Sequence, residues 1–196
     1  LPEQQIDLER KNTQVTDSAN KTISTKSLAV IAMLVAQAAV LHYLESLFPN
    51  PVPVPGVKLG LANIITLVAL VVFDFRTAMV IAVMRTVLGS LLAGTLFGMG
   101  FFMSFAGAVT ATVVMALVLR IFTMFGMVGI SVLGAIAHNI GQLIMATFVL
   151  HFPGIFLYLP AMLVFSIPTG FLTGLLINEL VKYIRATNRI QTILDD

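Results

Sequence analysis

The sequence has no cysteine, which excludes disulfides, thiolate metal sites and cysteine nucleophiles. Tryptophan is absent as well, and charged residues fill only 10% of the 196 positions. So little charge, set against 58% hydrophobic residues and a mean hydropathy of +1.00, excludes an ordinary soluble domain. A bilayer is the natural solvent. There is no Gly-x-x-x-x-Gly-Lys-Ser/Thr loop for nucleotide phosphates, no Gly-x-Ser-x-Gly nucleophile turn and no carboxylate cluster within an apolar run. No enzymatic activity, cofactor or metal site is expected, and any step driven by ATP needs a partner to bind the nucleotide. The net charge of +2 does not point to nucleic acid, because the basic residues lie mostly at the ends and in short connections.

A hydrocarbon core about 30 Å thick takes roughly 20 apolar residues in helical form. Six such runs are present, at residues 27–48, 59–73, 77–94, 101–122, 129–150 and 156–180. The second is short unless Val57 and a snorkelling Lys58 extend it. The expected fold is an all-α integral membrane protein, a bundle of six transmembrane helices over residues 26–185, with polar tails at 1–25 and 186–196. The first tail carries Glu3, Asp7, Glu9, Arg10, Lys11, Asp17 and Lys21 and has no apolar core of the secretory-signal kind. Between the first two runs, Pro49, Pro51, Pro53 and Pro55 put four prolines in seven residues. Proline lacks the amide donor and clashes with the preceding turn, so this stretch is a loop or re-entrant cap.

Of the eleven basic residues, Lys58 lies on one side of this arrangement, Arg85 lies within a run, and the other nine share the opposite side. The positive-inside rule then places both termini in the cytoplasm and the proline-rich loop outside. Glu45, Lys58, Asn63, Ser90, Gln142 and Tyr158 fall in the outer half, and Arg85, His138 and Asn139 fall near the middle. That convergence describes an outward-facing cavity.

Polar groups within a span are costly against lipid and normally face the bundle interior. Arg85 stands near the midplane, too deep to snorkel, and is either a clamp between helices or a ligand-binding or gating group. Gly134, His138, Gly141 and Gln142 share one helical face, with Asn139 beside it, suited to interhelical hydrogen bonds or to lining a pocket. Glu45, His42 and Tyr158 are residue types common at a membrane interface. The remaining histidines, His42 and His151, stand at span ends, so His138 has no companions for a metal. Lys58 and Arg85 together favour an anionic group, such as a carboxylate or phosphate, on a small molecule that is anionic or amphipathic as a whole. Ala29, Ala32, Ala36 and Ala39 give the first run a small-residue stripe, which serves either packing within the bundle or docking of a partner helix.

Three runs carry a resemblance. They are Pro53-Val54-Pro55-Gly56-Val57-Lys58-Leu59-Gly60-Leu61-Ala62-Asn63-Ile64, Arg85-Thr86-Val87-Leu88-Gly89-Ser90-Leu91-Leu92, and Gly134-Ala135-Ile136-Ala137-His138-Asn139-Ile140-Gly141-Gln142-Leu143. In this order they resemble the bacterial Gx transporter family, often labelled heptaprenyl diphosphate synthase component I, over about residues 27–180. That family in turn is similar to the substrate-binding S components of energy-coupling factor (ECF) transporters, six-helix proteins that capture vitamins or related nutrients. The resemblance implies an outer pocket capped by the first extracellular loop. It also implies docking of a coupling subunit, itself joined to ATPases, on the small-residue face, where Ala32-x-x-x-Ala36 matches the expected alanine pattern.

The enzyme label fits the residues less well. Polyprenyl diphosphate synthases hold magnesium with aspartate-rich motifs, whereas Asp7, Asp17, Asp74, Asp195 and Asp196 are scattered or terminal. The function expected is substrate binding for uptake of a small nutrient or cofactor precursor. Its rivals are an accessory subunit of prenyl diphosphate or quinone synthesis and an assembly factor of a redox complex.

Overall fold

The computed structural model describes residues 25–47, 58, 60–121 and 126–187. The polar tails and the prolines of the first loop, for which the sequence carries definite expectations, lie outside the described residues. Among the described residues six α-helices follow one another: α1 (Thr25–Leu47), α2 (Asn63–Val72), α3 (Phe75–Leu92), α4 (Met99–Ile121), α5 (Met127–Leu150) and α6 (Leu159–Thr187). A 3-10 turn, Pro153–Tyr158, leads into α6. Five of these segments are long and apolar enough to cross a membrane, so the chain is an all-α, multi-pass membrane bundle. Helices are what such runs must form, since lipid offers no partner to an exposed peptide group.

The second helix departs from the expected span. It has ten residues, and at 1.5 Å per residue it covers about 15 Å, half of the hydrocarbon core. Its late start has a local cause: Gly60 adopts a left-handed φ of 80°, which a right-handed helix cannot include, and the Glu45 carboxylate of α1 holds this turn by accepting from the amides of Gly60 and Leu61. Lys58 does not snorkel outward to lengthen the helix. It is buried.

Helix α4 packs along α5, α5 along α6, and α1 chiefly along α3. The α5–α6 contact is close because Gly174 lies on the backbone of Val128; a Cβ at Gly174 would stand 2.5 Å from the Val128 Cα. Nearby, the hydroxyls of Ser131 and Thr173 are 2.7 Å apart and join the two helices. Positions along the antiparallel helices sort the interior into layers. At the end near Asp74, Leu67, Met115, Ile130 and Ile177 form one apolar cluster, and Ala38, Ala69, Ala78 and Ile81 another. At the other end, Met103, Leu143, Ile155 and Met162 pack under the 3-10 turn. Between these ends lies a layer of polar side chains.

Candidate functional site

The polar layer is assembled from α1, α2, α3, α5 and the chain that enters α2. The backbone amide of Lys58 donates to Gln142 Oε1 at 3.3 Å. Because an amide N–H only donates, it fixes the oxygen of Gln142 on that side and turns Nε2 toward His138 Nε2, 3.0 Å away. His138 therefore accepts at Nε2 and carries its proton on Nδ1. The Lys58 ammonium lies 2.7 Å from His42 Nε2, and since an ammonium has no lone pair, the imidazole accepts and is neutral.

Arg85 Nη2 donates to Asn63 Oδ1 at 2.6 Å. The same logic turns Asn63 Nδ2 away from the guanidinium and over Gly60, where a Cβ would come within 2.8 Å of it and 3.2 Å of the His138 ring. Gly60 thus lies directly against Asn63 and His138 in the layer. Glu45 completes the ring of contacts by accepting from the amides of Gly60 and Leu61, the latter at 3.2 Å.

Six of the eight residues expected at a ligand site, Glu45, Lys58, Asn63, Arg85, His138 and Gln142, therefore meet in one connected cluster. All six are buried. Ser90 is buried on α3, with its hydroxyl lacking a partner among the described residues, but no hydrogen bond ties it to the cluster. Asn139 faces α6 instead, donating from Nδ2 to the Met162 carbonyl at 3.2 Å. Tyr158 stays in the 3-10 turn at the surface. Ala29, Ala32 and Ala36 lie on the exposed side of α1, while Ala38 and Ala39 turn inward.

His42 belongs to the cluster although its sequence position resembles that of an interfacial residue. It is the eighteenth residue of a 23-residue helix and packs over Gly89, where a Cβ would come within 2.5 Å of its ring. The glycine on the facing helix is the signal that would have located it.

The charges do not balance. Among the described residues the buried ions are Glu45, Lys58 and Arg85, which sum to one excess positive charge if Glu45 is ionised and two if it is protonated. Residues 48–57 and Leu59 contain no ionisable side chain, so that segment adds no counter-charge. Arg85 Nε and Asn63 Nδ2 are buried donors without a partner among the described residues. The cluster is an electropositive, donor-rich site in the interior of the bundle.

The family model described as heptaprenyl diphosphate synthase component I matches residues 34–180, from within α1 to within α6. No match was found among the curated proteins or the solved structures. The matched stretch contains every residue of the polar cluster, and on this match the chain belongs to the heptaprenyl diphosphate synthase component I family.

Proposed function

We propose that the chain is the substrate-binding component of an energy-coupled uptake system, similar to the S components of ECF transporters. It takes a small nutrient or cofactor precursor from the outer side of the bacterial cell membrane and delivers it with a separate coupling subunit and ATPases. Both termini lie in the cytoplasm, and the chain itself catalyses no reaction. The observation that carries this reading is the polar cluster buried in the interior of the bundle. So many polar groups cost several kcal/mol against an apolar interior and are retained where a ligand uses them.

The outer face of α1 supports the coupling part of the proposal. Ala29, Ala32 and Ala36 are exposed there, and so is Gln37, thirteenth of the helix's 23 residues. An amide in midspan is poorly served by lipid, and small neighbours allow a partner helix to approach and bond it. The tagged full chain, extracted from membranes, is expected to retain a coupling subunit and ATPases. Ala32→Leu combined with Ala36→Leu should weaken that capture while leaving small-molecule retention, read by native mass spectrometry, unchanged. Equal loss of both would mean that the stripe packs within the bundle.

The family description favours a second reading, an accessory membrane subunit of prenyl diphosphate synthesis. Capture of a soluble prenyl synthase, with no coupling subunit, would establish it in place of the first.

A further inference from the structure

We infer that the buried polar cluster binds an anionic group, a carboxylate or a phosphate, through Arg85, Asn63 and Lys58. The inference rests on the substrate-binding reading and narrows it to a ligand class. Three independent features point the same way. The first is charge: the layer holds an excess of positive charge in either protonation state of Glu45, and residues 48–57 bring none of the opposite sign. A bare excess charge in a low-dielectric interior is strongly unfavourable until an anion enters.

The second feature is hydrogen bonding. Arg85 and Asn63 are 1% and 7% exposed, and each has one buried donor, Nε and Nδ2 respectively, without a partner among the described residues. The two side chains are joined at 2.6 Å, so the unpartnered donors belong to neighbouring residues of one cluster. Donors alone, without matching acceptors, are what a carboxylate or phosphate oxygen requires, and the guanidinium fork suits its planar or tetrahedral edge. The third feature is the commitment of the local carboxylate: Glu45 Oε1 already accepts from Gly60 and Leu61. A purely structural clamp would instead leave its charges matched and its donors engaged.

Asn63→Asp separates the two roles. It preserves the acceptor that Arg85 uses, replaces the free donor with an oxygen and cancels one positive charge. The purified full chain in a neutral detergent is to be unfolded thermally at constant ionic strength, with chloride as reference and with phosphate, acetate or dodecyl phosphate added. The wild-type chain is expected to show a saturable upward shift in Tm. Asn63→Asp should keep or raise the ligand-free Tm while weakening anion affinity by about tenfold to a hundredfold, the loss of one charge-assisted bond. Arg85→Lys, which keeps the charge but not the fork, should weaken it by about tenfold.

A shift with phosphate or acetate marks a soluble anion, and a shift with dodecyl phosphate alone marks an anion carried on an apolar chain; both support the inference. Unchanged affinity in both folded variants overturns it. So does the absence of any shift, and native mass spectrometry then separates the two levels of the argument. A retained uncharged molecule leaves the substrate-binding reading standing without the anion, whereas no retained molecule and no captured coupling subunit removes both.

Discussion

The starts of α2 and α3 are each held by a carboxylate, by opposite routes. Asp74 caps α3 from the position just before it, accepting from the Thr77 amide at 2.8 Å in an exposed turn. Glu45 holds the entry to α2 from another helix, fifteen residues before Gly60, in the interior of the bundle. The first contact is local, solvated and replaceable by water. The second substitutes for water that the bundle excludes, so its loss leaves two amides and a pair of cations without their anion. One carboxylate trims a helix end; the other fixes Gly60 and Leu61 beside the polar cluster.

Three substitutions test that difference, and the largest effect is expected at Glu45. Glu45→Ala should lower stability by about 3 kcal/mol, since it strands buried donors and removes the charge that partly offsets Lys58 and Arg85. Chemical or thermal unfolding in detergent reads this directly. A cost no greater than that of removing Asp74 would erase the distinction between the two caps.

Gly60→Ala should cost about 2 kcal/mol, because the left-handed backbone disfavours a side chain and the new methyl meets Asn63 and His138. It should also weaken retention of the native small molecule, because the displaced loop carries Lys58. A stability loss with full retention would mean that the position of Gly60 is irrelevant to the site.

The smallest effect belongs to Asp74→Ala, about 1 kcal/mol, the usual worth of an N-cap. Hydrogen bonds from Thr77, its side chain foremost, hold the Asp74 pKa below its ordinary value despite some desolvation. A depressed carboxylate stabilises the fold fully above its unfolded pKa, near 3.9, and the contribution fades as pH falls through the lower folded value. The difference between Asp74→Ala and the wild-type chain should therefore be constant at neutral pH and shrink in acid. A difference that grows in acid would contradict the cap.

Much of the candidate site was legible because depth is additive along a helix. Counting residues from the ends of the apolar runs put Arg85 and His138 at one level, with Glu45, Asn63 and Gln142 just outside it, and six of the eight expected residues do meet. Azimuth was not legible to the same degree. Asn139 adjoins His138 in the sequence but is rotated by one helical step, about 100°, and so reaches the Met162 carbonyl of α6 rather than the cluster. His42 was misjudged for the converse reason: a position near a helix end looks interfacial until Gly89 on the facing helix makes room for its ring.

The sequence by itself determined that this is a helical membrane bundle, because apolar run length and scarcity of charge leave the backbone no other way to satisfy its hydrogen bonds in lipid. It also determined that charge would be confined to a few interior positions. Only the tertiary structure decided that α2 begins at Asn63 and covers half a span, since Gly60 is held in a left-handed conformation, its amide bonded to a carboxylate on α1. It likewise decided which donors are spent and which remain free. That depends on which partners lie within about 3 Å once the helices are packed, a distance no spacing along the chain can specify.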